Sequence, residues 1–132
     1  MTRARVFFAA LFVGILCPAI ASPHHSNVAY EVNKVITITG VVKGFDWVNP
    51  HTWLHVVVDD GKGGKVEWAC EGRAPGVLLR AGWSRSILKP GETVTVDMSP
   101  AKDGSKVSII ARVTKADGKI LSNQPVFDDR GN

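Results

Sequence analysis

Four histidines and four tryptophans carry most of the chemistry open to this chain, and both sets are clustered. His24, His25, His51 and His55 fall within 32 residues, and Trp47, Trp53, Trp68 and Trp83 within 37 that overlap them. Imidazoles bind metals and change charge near neutral pH, while indoles offer a flat apolar face with a single donor. A binding surface in the first half of the chain is therefore the expectation. Residue types alone do not name its ligand.

Metal chemistry needs convergent ligands. If His51 and His55 lie on one strand, four residues separate them by roughly 13 Å. Each nitrogen must approach zinc to about 2.0–2.1 Å, so the two cannot chelate one ion unaided. A shared site needs ligands from elsewhere: His24 and His25 on a folded-back N-terminal arm, and Glu67 or Glu71 from the outer face of the neighbouring strand. The candidate set is His24, His25, His51 and Glu71. Copper is the first choice of metal and zinc the second. A mature chain starting Ser22-Pro23-His24 could also hold copper(II) through its amine and the third-position imidazole. Pro23 has no amide proton to lose, which removes the four-nitrogen form of that site. An arm that exposes two histidines by chance is the simpler alternative.

A second candidate set uses the indoles. Trp47 and Trp53 could form a platform for a small molecule or peptide, with Asn49, His51 and Arg80 as polar contacts. The same aromatic face could instead dock on another exported protein, making the chain an accessory subunit. More plainly, Trp53 could cover a sheet surface under the arm or the tail, and Asn49 could hold its own turn. Arg73, Arg80 and Arg85 flank the helix described below; they are either solvated charges or contacts for an anion.

Enzyme signatures are missing. No Gly-rich phosphate loop, nucleophile elbow or His-Glu-x-x-His pattern occurs. Cys70 and His51 would make a nucleophile–base pair only if they met, and alternation points Cys70 inward and His51 outward. The expectation is a protein that binds rather than catalyses.

Composition narrows the setting. Arg3 and Arg5, the apolar run Val6 to Leu16, and Ala19-Ile20-Ala21 read as a signal peptide over residues 1–21, removed to leave Ser22 as the start. The apolar run is about half of what a spanning helix needs, so no membrane anchor is expected after cleavage. A periplasmic or secreted location follows. The remaining 111 residues suit one domain with a real core. Loss of Arg3 and Arg5 leaves 14 basic against 12 acidic side chains, net +2. That balance gives no reason to expect nucleic-acid binding. Cys17 leaves with the signal, so Cys70 has no intramolecular partner and is expected to be buried.

The elements that position these groups are mostly strands. Residues 22–34 read as the arm, and 35–121 as the folded domain. Val35 to Trp47 is a long first strand rich in Val, Ile and Thr, bent at Gly40 or Gly44. Val48-Asn49-Pro50 is a turn. Thr52 to Asp59 and Lys65 to Glu71 are strands joined by a Gly-rich hairpin loop. Leu54, Val56 and Val58 face the core; His51, Trp53, His55 and Val57 face away. Val66, Trp68 and Cys70 point inward, and Glu67 and Glu71 outward. Pro75 to Gly82 is a short helix with Val77, Leu78, Leu79 and Ala81 as its apolar face and Gly82 at its C-terminal end. Trp83 should pack that end onto the domain. Thr93 to Met98 and Lys106 to Thr114 are two more strands, and residues 122–132 a loose tail. Three strands, a helix and two strands is the order of the small five-stranded oligonucleotide/oligosaccharide-binding (OB) barrel. A sandwich is the competing architecture.

Several ordered motifs together resemble a family of secreted bacterial proteins of unknown function. They are His24-His25-Ser26, Thr39-Gly40-Val41-Val42, Trp47-Val48-Asn49-Pro50-His51 with Trp53, Trp68 with Glu71-Gly72, Leu79-Arg80-Ala81-Gly82-Trp83, Lys89-Pro90-Gly91-Glu92 and Lys102-Asp103-Gly104. The resemblance spans about His24 to Leu121. It implies export and marks His24, His25, Asn49, His51, Trp53, Glu71, Arg80 and Trp83, but carries no established activity. His55 and Cys70 are not part of the pattern. In such relatives the paired histidines often follow the cleavage site directly, whereas Ser22-Pro23 intervenes here.

Overall fold

The structure, a computed structural model, describes residues 29–124. The expected signal peptide, its cleavage site, and His24 and His25 lie outside the described residues, as does the chain from 125 onward. Among the described residues there are six strands and one helix: β1 (Ile36–Asp46), β2 (Trp53–Asp59), β3 (Lys65–Glu71), α1 (Pro75–Arg80), β4 (Thr93–Pro100), β5 (Val107–Lys115) and β6 (Ile120–Ser122). Strands neighbour one another in the order β3-β2-β1-β4-β5-β6, and a parallel β3–β5 pairing closes the first five into a barrel. This is the expected OB-like architecture, mainly β, with one short helix between the third and fourth strands. Among the described residues no helix is long and apolar enough to cross a membrane.

Strand β1 serves two partners, which is why it is long. Residues 36–41 pair with β4 and residues 41–46 with β2. The strand must coil between them, and its two interior glycines do different jobs. At Gly40 an added Cβ would stand 2.4 Å from the Val57 carbonyl oxygen, so the missing side chain lets β2 cross closely. At Gly44 a Cβ would meet nothing within 4 Å. The register shift between Val42 and Gly44 is a bulge there, and it bends the strand.

Alternation sets the core. Val42, Leu54, Val56, Cys70, Val94, Val96, Met98 and Val113 are almost fully buried. Each such aliphatic side chain contributes roughly 1.5–3 kcal/mol relative to exposure. Trp68 and Cys70 point inward as expected, and the Cys70 thiol lies 3.6 Å from Met98 Sδ. Burial pushes that thiol up to about 11.

The helix is too short to persist alone. Pro75 occupies its first turn, and its C-terminus is tied off by Gly82 at φ +84°. Gly82 N–H donates to Leu79 O and Trp83 N–H to Leu78 O, a Schellman arrangement. Leu78 and Trp83 are buried together, and Trp83 Nε1 donates to Ser122 O at 2.7 Å. Leu79 departs from the expected apolar face: it is 58% exposed, because so short a helix turns only one side to the barrel.

Two differences concern the ends of the domain. The stretch after residue 121 is ordered at first: Ser122 closes β6, and Asn123 is buried. The arm also docks before β1. Tyr30 forms a bridge with Ala101, Glu31 N–H donates to Pro100 O, and Tyr30 is only 4% exposed.

Candidate functional site

The site forms where the turn before β2 meets the end of β3. Register places Trp53 opposite Glu71, so Thr52 and His51 run alongside Gly72 and Arg73. Thr52 is fully buried and holds this segment: its carbonyl accepts from Gly72 N–H at 2.8 Å, and its hydroxyl donates to Arg73 O at 3.0 Å. Gly72 is needed there, since a Cβ would sit 2.3 Å from Thr52 Oγ1. From the far side, Asn123 Oδ1 accepts from Arg73 N–H at 3.0 Å, while its amide donates to Ile110 O at 2.7 Å.

On this frame His51 and Glu71 meet. His51 Nδ1 is 3.0 Å from Glu71 Oε1 and 3.3 Å from Gly72 O. Both neighbours are acceptors, so Nδ1 carries a proton and donates. The other ring nitrogen, Nε2, is the one left for a ligand. The His51 side chain is 40% exposed and that of Glu71 8%. Glu71 does sit on the outer side of β3 by alternation, but it is not solvated. Tyr30 covers it and donates its hydroxyl to Oε2 at 2.5 Å. Burial, reinforced by that bond to Glu71, pushes the Tyr30 hydroxyl far above the ordinary tyrosine range. Both carboxylate oxygens of Glu71 are thereby engaged.

His51 opens onto a cleft of about 330 Å³ lined by Pro50, Gly72, Arg73, Ala74, Val77 and Ile109. Its lining mixes polar and apolar surface, and among the described residues no acidic side chain lines it.

His55 belongs elsewhere. Its Nδ1 is 3.1 Å from Glu67 Oε1 and its Nε2 3.2 Å from Asp46 Oδ2, so both nitrogens are engaged across β1, β2 and β3. Lys43 pairs with the same Glu67 at 2.5 Å and holds its carboxyl below the usual range. Among the described residues no group of three or more His, Cys, Asp or Glu side chains is gathered as a metal site.

The remaining candidates are dispersed. Trp47 is half-buried and packs edge-on against Phe45 at 5.7 Å, which contacts Trp83 at 5.8 Å, so it extends the core outward. Trp53 is half-buried opposite Glu71 and Asp46. Asn49 is exposed and precedes Pro50 in a cis turn. Arg80 is exposed in the last turn of α1, where its charge suits the helix dipole. Sequence reasoning missed Tyr30, Thr52 and Asn123. Only Tyr30 offered a signal, as the single tyrosine of the chain, set in a polar arm.

Fold and site together describe a small OB-like barrel carrying a carboxylate-held histidine at a surface cleft. The chain belongs to a family of unknown function (DUF6152), whose model matches residues 13–110. Among curated proteins and among solved structures, none matches it.

Proposed function

We propose that this chain is an exported metal-binding module that takes copper(II) first and zinc(II) second, with His51 Nε2 as its fixed ligand. One observation carries the reading. The His51 ring is held through Nδ1 by the buried Glu71 carboxylate and remains half-exposed on its other side. Metal-ligating histidines are commonly oriented this way, with the carboxylate fixing the tautomer and raising the basicity of the ligating nitrogen. On this reading Glu71 acts through His51 and is not itself a ligand, because Tyr30 and His51 take both its oxygens.

His24 and His25 complete the set. They precede Tyr30 by six and five residues, a length that spans at most about 20 Å when extended. Tyr30 is anchored on the same carboxylate that holds His51, so the third imidazole lies within chain reach of the paired ones. Imidazole nitrogens suit copper and zinc alike, and geometry rather than raw affinity decides between them.

The test is a copper(II) and zinc(II) titration of tag-free protein recovered after export with its authentic N-terminus. One equivalent should bind more tightly than about 1 μM. His51→Ala should abolish it, and so should His24→Ala with His25→Ala. Binding that survives His51→Ala unchanged overturns the proposal.

A further inference from the structure

The cleft beside His51 holds a second polar group that metal binding leaves unused. Arg73 stands on its wall. Arg112 is ion-paired with Asp97, whereas Arg73 has no acidic partner among the described residues. Its backbone is nevertheless fixed at both ends: N–H to Asn123 Oδ1 at 3.0 Å, and carbonyl to the Thr52 hydroxyl at 3.0 Å and Thr52 N–H at 3.3 Å. Asn123 is buried, Thr52 is fully buried, and Gly72 has no room for a side chain. A guanidinium with no acidic partner among the described residues is thus carried on a hydrogen-bonded backbone frame beside a concave space.

Two polar side chains line it, and they differ in kind. Arg73 offers a fork of donors that matches a carboxylate. His51, with Nδ1 committed to Glu71 and Gly72 as donor, offers Nε2 as an acceptor when the ring is neutral. Pro50, Ala74, Val77 and Ile109 supply apolar wall. Glu71 is covered by Tyr30 and His51 and does not line the cleft. At about 330 Å³ the space lies at the small end of ligand sites.

We propose that this cleft binds a small 2-hydroxy acid: Arg73 holds the carboxylate, His51 Nε2 accepts the hydroxyl proton in a hydrogen bond, and the apolar wall takes the side group. The complex uses the Nε2 lone pair that a metal would take, so it forms on the metal-free protein and is tested after stripping with EDTA, where it stands or falls apart from the metal reading.

Mandelate, phenylacetate and 1-phenyl-1,2-ethanediol serve as probes. They share a phenyl group; the second lacks the hydroxyl and the third the carboxylate. Binding is followed by amide chemical shifts of the isotope-labelled full chain. Mandelate should shift Gly72, Ala74, Val77 and Ile109 saturably at millimolar concentration or below. Phenylacetate should bind several-fold more weakly and the diol weakest of all. Arg73→Gln, a change at an exposed side chain, should weaken mandelate at least about tenfold, equal to about 1.4 kcal/mol, while the spectrum of the fold persists. No saturable shift at these four amides overturns the proposal, and so does an unchanged affinity in Arg73→Gln. Equal binding of mandelate and phenylacetate overturns the hydroxyl assignment.

Discussion

At the scale of single residues, the site depends on a buried relay from Tyr30 through Glu71 to His51. The Tyr30 hydroxyl and the Glu71 carboxylate are 41 positions apart in the chain, and their bond buries an acid that alternation alone places in solvent. Tyr30→Phe removes the donor and leaves one carboxylate oxygen buried without it. A hydrogen bond to a charged group is worth about 1.5–3 kcal/mol, and a loss of that size in urea unfolding is expected. Glu71→Gln is the complementary change. The amide keeps the shape but holds the Nδ1 proton less strongly, so metal affinity should fall about 10–100-fold with the barrel intact, as read by titration and far-UV circular dichroism. An unaltered affinity would mean that Glu71 does not position His51. Periodicity identified His51 and Glu71 as outward-facing neighbours across β2 and β3, which was enough to pair them. It carried no sign of the cover, because Tyr30 arrives from the arm and not from the sheet. Nor could it separate Glu71 as a ligand from Glu71 as an orienter, since that depends on which side of the ring the carboxylate touches.

At the scale of elements, the five barrel strands and the helix were legible, and the reasons are local. Each strand alternates over most of its length, with breaks such as the register shifts in β1 and β4, turn residues separate them, and Gly82 marks the helix end by a φ of +84° that other residues resist. Strand β6 was not legible. Three residues give no period, and their place is decided by Trp83, whose indole donates to Ser122, and by pairing with Arg112 to Thr114. Leu79 failed for a related reason, since an apolar stripe cannot be resolved in six helical residues. The glycines of β1 allow a paired test. Gly40→Ala puts a methyl group 2.4 Å from a backbone oxygen and 2.7 Å from Val56 Cγ1. Overpacking of that kind costs about 1–3 kcal/mol and should lower the urea midpoint. Gly44→Ala meets open space, so it should be near neutral or stabilising by up to about 1 kcal/mol. Equal losses in the two variants would show that β1 does not turn from β4 to β2 in this way.

At the scale of the whole molecule, the barrel is stapled and sealed by groups that titrate far from neutrality. Asp97 on β4 accepts from Thr37 on β1 at 2.6 Å and from Arg112 on β5, so one carboxylate ties three adjacent strands. The Thr37 hydroxyl, and then the Arg112 guanidinium, hold its carboxyl below the ordinary value of 3.8. A group depressed in the folded state contributes stability that is present above its unfolded pKa and lost as pH falls through the folded one. The acid limb should therefore begin near pH 4 and continue below it, and Asp97→Asn should flatten it. On the alkaline side the sign reverses. Burial raises the Cys70 thiol from 9.0 to about 11 and the Tyr30 hydroxyl above 10.0. Groups raised in this way contribute fully below their unfolded pKa, and that contribution drains away as pH rises through the folded value. Melting temperature should consequently drop from about pH 9 upward. Cys70→Ala should delay the first part of that fall, and Tyr30→Phe the part above pH 10, each judged against its own value at pH 7 so that lost packing is not mistaken for lost linkage. If neither variant changes the slope, the interior around Cys70 and the seal of Tyr30 over Glu71 are open to water in solution, and the relay that positions His51 is not closed.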